Sequence, residues 1–422
     1  MKKRTILACG AAAVLTLGLG PTAPTAASAE EINVLLFGMP YTRGLQEIAD
    51  QFEAETGIKA NVDVVGQDVF ESRITLNFTG GAQDVDVVHA PVIQIQRWVE
   101  AGWLAPLSSQ INAMADKDDI LSGPLQAYEV GGETYALPFF AETGLMAYRS
   151  DLIDAAPETW ADVKTAAGGL DSDIAGLAMR VAPGQGFNMF VFPMIMRAYG
   201  GKFFEDYPSN LTPAINSAET LEALNVYIDL MKNHGPDGIG NFNFSEVAAA
   251  AQSGQVAMIV DGTSIVAQTV DPEKSQFAEQ FTIALPPGGP EGRSPAVAVH
   301  GLGVPAGVED VDGAFKFIEW ATSTGVLTQI ALNNPYPDFT RASVAANADV
   351  VAKYSGIQED FLDLRVQALN LAIGHYRPLI PTWPEIGAAV GENINAAVNG
   401  VMSPEEALAA AEEEMNLSLI HI

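Results

Sequence analysis

Along the chain the spacing of apolar positions changes repeatedly between the strand and the helix period. Ile32 to Phe37 (I-N-V-L-L-F) is a nearly unbroken apolar run, the pattern of a strand covered on both faces. After a Gly/Pro loop, Leu45, Ile48, Ala49 and Phe52 recur at helical spacing, and Gly57 supplies a stop. Ala60 to Val65 alternates as a strand, Phe70 to Phe78 returns to helical spacing, and Val85 to Val88 reads as a further strand. Such a succession predicts right-handed crossovers and a parallel sheet. Ligands of these sheets gather in the loops after the strands, which singles out residues 38–43 and 89–94.

Beyond Pro138 the pattern predicts helices over Leu221 to Met231, Phe315 to Thr322 and Pro384 to Met415, and a strand over Val256 to Val260. Ser403-Pro404-Glu405-Glu406 offers an N-cap, a first-turn proline and acids suited to a helix N-terminus. No internal repeat and no Pro/Ser-rich linker divides the chain, so two lobes would require the chain to cross between them more than once.

The two ends change this picture. Lys2, Lys3 and Arg4, the apolar stretch Ile6 to Leu19 and the small-residue site Ala27-Ser28-Ala29 have the layout of a secretory signal, so residues 1–29 are expected to be removed on export. Cys9 sits too early in the apolar run for a lipid anchor to be expected, and no other cysteine exists to form a disulfide or hold a metal. The final L-S-L-I-H-I, residues 417–422, breaks off an Ala/Glu-rich helix and is expected to be non-native, with a genuine apolar helix end as the other possibility.

Composition then excludes classes of function. The 422 residues hold 52 acids against 21 Lys and Arg, for a formal charge of −31, and 48% are apolar. Disorder is excluded by that apolar content. Nucleic acid is not expected as a partner, because phosphate-binding surfaces need clustered cations. No apolar run reaches the roughly 20 residues of a membrane-spanning helix, so no stable membrane insertion is expected. There is no G-x-S-x-G elbow and no H-E-x-x-H among the five histidines. Gly184-Gln185-Gly186 lacks the third glycine and the lysine of a phosphate loop. No cofactor or metal is expected. Paired carboxylates for glycoside hydrolysis remain open, because their separation of about 5 to 10 Å is not encoded in sequence spacing.

What does recur is polar and aromatic residues in Gly/Pro-rich segments: Tyr41 and Arg43, then Glu142 and Thr143 after Pro138-Phe139-Phe140, then Asp261, Gly262 and Thr263. Such a set suits a polyhydroxyl ligand. A carboxylate can accept from neighbouring hydroxyls at about 1.5 to 3 kcal/mol per charge-assisted bond, while rings cover C–H surface. Asp261 could equally form an Asx-type turn, Glu142 an ion pair, and Tyr41 surface packing.

Five segments, taken in order, resemble the extracellular solute-binding proteins, family 1, which deliver sugars to bacterial ABC importers. They are A-G-W-L-A-P-L from Ala101, Y-A-L-P-F-F-A-E-T-G-L-M-A-Y-R-S-D-L from Tyr135, P-E-T-W-A-D-V from Pro157, Y-G-G-K-F-F from Tyr199, and S-G-Q-V-A-M-I-V-D-G-T from Ser253. The resemblance spans Glu31 to Met415. R-V-A-P-G-Q-G-F-N-M from Arg180 and P-D-F-T-R-A-S from Pro337 are similar to the mannitol/sorbitol-type polyol binders. Gln185 and Phe187 depart from that pattern, as does Ala298-Val299-His300-Gly301 in place of a tryptophan-rich strand.

The resemblance implies an α/β, two-lobed periplasmic binding protein fold (type II). Each lobe would be a mainly parallel sheet flanked by helices, with hinge crossings near Pro138–Thr143, His300–Leu302 and Asn334–Thr340. Lobe 1 would combine 30–139 with 302–334, and lobe 2 would combine 140–301 with 335–416. It implies an exported, monomeric, non-enzymatic receptor in the periplasm that captures a sugar or polyol and delivers it to permease subunits. A secreted glycan-cleaving enzyme, or a receptor for another solute such as an oligosaccharide, stands as the alternative. To Tyr41, Glu142, Thr143, Asp261 and Thr263 it adds Gln94, Arg180, Asn188, His300, Arg341 and Trp383 as ligand-binding candidates. Structural pairing is the competing role for Arg180, Asn188 and Arg341, hinge packing for His300, and core packing for Trp383.

Overall fold

The structure, a computed structural model, describes residues 31–80, 84–170 and 173–420. The expected export signal lies outside the described residues, as do His421 and Ile422. Eight strands form the main sheet: β1 (Glu31–Phe37), β2 (Lys59–Val65), β3 (Val87–Pro91), β4 (Ala136–Arg149), β5 (Ala175–Ala178), β6 (Val256–Gly262), β7 (Phe281–Ala284) and β8 (Val297–Gly303). Their order is β2-β1-β3-β8-β4-β6-β5, with β7 also paired to β4.

The outer strands pair in parallel, β1 with β2 and β3, and β5 with β6. Their connections are helical crossovers, as the apolar spacing predicts. Gly57 ends the helix Asp50–Thr56 at φ +75°, the left-handed cap its position required. Phe52 on that helix is fully buried and meets Phe317 edge-on at 5.2 Å and Trp320 at 5.4 Å. The helix Val311–Ala321 therefore packs on the half of the sheet that begins the chain.

The central strands pair antiparallel, and this ties the two halves together. The first part of the 14-residue β4, up to Thr143, pairs with β8, and β8 pairs with β3. From Gly144 onward β4 pairs with β6, and over Met146 to Arg149 with β7. One strand thus belongs to both halves. The segment Asp338–Arg341 lies alongside: Ala141 N–H donates to the Asp338 carbonyl at 2.7 Å, and Thr340 Oγ1 donates to the Pro138 carbonyl at 3.0 Å. All three segments marked as crossings by the resemblance meet here.

The C-terminal helical pattern resolves into Trp383–Val398 and Pro404–Leu419, broken where Gly400 adopts φ +71°. Ser403 caps the second helix reciprocally with Glu406. That helix runs into the expected tail, with Leu417 and Ile420 exposed. Both helices pack on Ala218–His234, whereas Ala348–Tyr354 packs on Thr324–Asn333. Between them, Gln358 reaches the second half, bonding both the N–H and the carbonyl of Ile283.

The crossing leaves no room for a side chain at residue 301. The β4–β8 register shifts between His300 and Gly301, opposite Pro138, which has no N–H to give to a ladder. A Cβ on Gly301 would lie 2.7 Å from Tyr128 Cζ and 2.9 Å from the Leu137 carbonyl oxygen. Tyr128 cannot easily move, since its hydroxyl donates to the Ala90 carbonyl at 2.6 Å. Gly301→Ala is therefore expected to cost about 1 to 3 kcal/mol of overpacking, read as a lowered midpoint in urea denaturation.

Candidate functional site

Where β4 passes from one half of the sheet to the other, Phe140 and Glu142 fall on the same face by the two-residue period of a strand. His300 on β8 is the cross-strand partner of Phe140, and their rings stack at 4.5 Å and 7°. Tyr41 also stacks on Phe140, at 5.6 Å, and its hydroxyl donates to the Tyr336 carbonyl at 3.2 Å. Burial pushes the Tyr41 phenol up. A polar and aromatic floor results from residues that three separate segments contribute.

On the far side of the floor, Glu142 Oε1 accepts from Ser264 Oγ, at the start of the helix Thr263–Ala267. Asp261 is fully buried and committed to Arg180, whose Nε lies 3.1 and 3.0 Å from its two oxygens and whose Nη2 also bonds it. The Asp261 carboxylate further accepts from Gly262 N–H at 2.6 Å. Arg180 gives its Nη1 to the Gly186 carbonyl and lies over Phe190 at 4.5 Å. A Cβ on Gly262 would stand 3.6 Å from both Arg180 Nη2 and Glu142 Oε2, so Glu142 faces the same cation across a glycine.

Three further candidates spend their polar atoms within the protein. Thr143 and Thr263 are both fully buried. Thr143 N–H donates to Thr263 Oγ1 at 3.1 Å, Thr263 Oγ1 donates back to the Thr143 carbonyl at 3.0 Å, and Thr143 Oγ1 donates to the Ala296 carbonyl at 2.9 Å. Asn188 joins helices, donating to the Gly391 carbonyl at 2.7 Å and accepting from Gly184 N–H at 3.2 Å. Arg341 and Trp383 sit apart from the floor. Arg341 pairs with Asp116 at 2.8 Å and donates to the Thr322 carbonyl, and Trp383 packs edge-on against Phe203 at 4.8 Å with 1% of its surface exposed. Gln94 and His300 share a cavity of about 300 Å³ walled by Phe37, Phe70, Trp98 and Trp103.

The floor also holds residues that sequence inspection passed over. His89 lies behind His300, its Nε2 2.8 Å from His300 Nδ1. Arg377 donates from Nη1 to the Gln185 carbonyl at 2.7 Å, and burial pushes it down to about 10. Its charge is felt by both Arg180 and His300. Asp338 is buried beside Glu142, and burial with that neighbouring charge pushes its carboxyl well up, against the pull of Arg365. For Arg377 the available signal was a lone cation between Tyr376 and Pro378 in an otherwise apolar stretch. For His89 it was only its place at the start of the loop 89–94 after a strand, and for Ser264 there was none.

Burial pushes both histidines down, His89 with the help of His300, and His300 to about 3 with the help of Arg377. His89 is 1% exposed, whereas His300 is half-buried, its Nδ1 enclosed and its ring open to the cavity. Histidines of the unfolded chain take up protons below about pH 6.5. The native pair does not, so the unfolded state binds more protons on acidification and stability falls with pH in that window. Between pH 7 and 5 the fully buried His89 is expected to contribute a loss of about 2 kcal/mol. His89→Gln should flatten the pH dependence of the urea midpoint by that share.

The sequence profile of the bacterial extracellular solute-binding proteins matches residues 40–327. The chain is 28% identical to a mannitol-binding protein of Pseudomonas aeruginosa, over 97% of this chain and 96% of the relative. Among solved structures it is similar to an ABC transporter solute-binding protein from Agrobacterium vitis with bound D-mannitol, at 27% identity and TM-score 0.74, covering 93% of this chain and 99% of that one. A solute-binding protein from Agrobacterium radiobacter in complex with ribitol shares the fold at TM-score 0.77, with 24% identity over 92% and 98% of the two chains. The two-lobed type II architecture is common to them. With its profile matched over most of its length and its sheet halves joined by shared crossing strands, the chain belongs to the bacterial extracellular solute-binding proteins.

Proposed function

We propose that this protein is the exported receptor of an ABC importer, that it works as a monomer in the periplasm, and that it captures a polyol or small sugar between two closing lobes. The lobes combine 30–139 with 302–334 and 140–301 with 335–416, the helix Ala348–Tyr354 of the latter lying against Thr324–Asn333 of the former, and they hinge where β4, β8 and the segment before Arg341 lie together. The carrying observation is the floor at that crossing. Glu142 offers Oε2 as an acceptor beside Arg180, while His300 and Gln94 face one cavity. A chain of hydroxyls can bond to acids and donors at once, and the rings of Phe140 and Tyr41 back the site. The mannitol-binding relative and the mannitol-bound neighbour, both similar over nearly the whole chain, support this ligand class.

In this scheme Asp261 does not touch ligand; it holds Arg180 in place beside Glu142. Ligand that touches both lobes favours the closed state, so capture is a population shift rather than a chemical step. The closed receptor then presents its cargo to the membrane permease, and no bond is broken.

Calorimetry and thermal shift with D-mannitol, D-sorbitol, ribitol, erythritol and maltose test the proposal. At least one polyol or sugar is expected to bind near micromolar affinity and raise the Tm. Glu142→Gln should weaken that binding by about 1.5 to 3 kcal/mol, the range of a charge-assisted bond. Absence of any stabilisation, or release of product from an oligosaccharide, would overturn it.

A further inference from the structure

β1 stops pairing with β3 after Leu35 and Val88, yet the N–H of Phe37 still needs an acceptor. His89 Nδ1 supplies it, at 3.3 Å. An amide N–H can only donate, so Nδ1 of His89 carries no hydrogen and the neutral ring must carry it on Nε2. That Nε2 faces His300 Nδ1 at 2.8 Å, so His300 Nδ1 is in turn an acceptor. Neutral His300 then has its hydrogen on Nε2. The ring itself is clamped flat on Phe140 and lines the cavity that also holds Gln94.

We infer that His89 is a positioning residue which, through this relay from the Phe37 amide, fixes His300 as a neutral hydrogen-bond donor in the cleft and sets it to meet a hydroxyl or ether oxygen of the ligand. The inference deepens the receptor function above and rests on it for the ligand. The relay also resists protonation, because both Nδ1 lone pairs are already occupied. The charged groups around the pair act in both directions: Arg377 opposes a charge on His300 and Arg97 stands on the cavity wall, whereas the carboxylates of Glu71 on that wall and of Glu142, two residues along β4 from Phe140, favour one. Donation at this point therefore stays constant through the pH range in which a free histidine would switch.

Two measurements on the full mature chain separate the parts. Long-range proton–nitrogen NMR of the ligand-free protein, assigned with His89→Gln and His300→Gln, should show His300 protonated on Nε2 only, from about pH 8 to 5. A hydrogen on Nδ1, or titration inside that window, overturns the relay. D-Mannitol binding by the native protein should change less than about twofold over the same range. In His89→Leu it should fall about tenfold, because nothing then donates to His300 Nδ1 or fixes the ring with its hydrogen on Nε2. His89→Gln, whose amide can still donate to His300 Nδ1, should restore affinity to within about threefold. Equal loss in both variants would mark His89 as merely structural. Failure of D-mannitol to bind the native protein at all would overturn the ligand-facing half together with the polyol assignment, while the NMR result decides the relay by itself.

Discussion

Buried backbone amides and carbonyls must be paired wherever they run, and β4 is a strand that runs from one body of the molecule into another. It meets this constraint by changing partners along its length, taking β8 up to Thr143 and then β6 and β7. The change of partner falls at Thr143 and Gly144, and the polar atoms gathered there are those that complete the accounting. Gly144 N–H goes to the Ala296 carbonyl at 3.0 Å, and the two threonines exchange bonds between strand and helix start. The hinge proposed above would bend where partners change. Side chains on the adjacent residues of β4 therefore face both bodies, and Phe140 and Glu142 are among them.

Electrostatics follows from the same burial. An isolated charge moved out of water costs several kcal/mol even after relaxation, so Arg180 and Asp261 persist there only as a pair with every bond direct. Their neutrality as a unit leaves the Glu142 carboxylate beside Arg180 with one oxygen on Ser264 and the other toward Gly262. The excess of acids over bases, 52 against 21, says nothing about this site. Most of that charge lies on solvated surfaces, where screening within about 8 to 10 Å removes its reach.

Legibility in the sequence tracked how local each cause was. The buried run of β1, the Gly57 stop and the Ser403 cap depend on residues within a few positions, and periodicity found them. The position of β3 slipped from Val85–Val88 to Val87–Pro91, because pairing with β8, more than 200 residues later, extends it past His89. The passage of one strand, β4, between the two halves was legible only through family resemblance. At the site, His300 came in only through the resemblance, whereas Tyr41 and Glu142 stood out as polar or aromatic residues in Gly/Pro-rich segments. The partners did not: Asp261 finds Arg180 across 81 residues, Arg341 finds Asp116 across 225, and His300 finds His89 across 211. Whether a polar residue is spent internally or left for ligand depends on these distant partners, and spacing along the chain carries no trace of them.

That division of labour bears on how a neutral ligand can be held at all. Hydroxyls exchange bonds to water for bonds to protein with a small net gain each, about 0.5 to 1.5 kcal/mol for neutral pairs. Affinity then depends on avoiding reorganisation rather than on adding contacts. The Thr143–Thr263 exchange, the Arg180–Asp261 pair and the stacking of His300 on Phe140 hold the floor in one arrangement. Groups offered to the gap keep their orientation because the groups beneath them have no alternative partners. Rigidity at the floor and freedom at the crossing are therefore compatible. The side chains of the floor are held by their neighbours, and the point where one ladder hands over to the next is where the proposed hinge would bend.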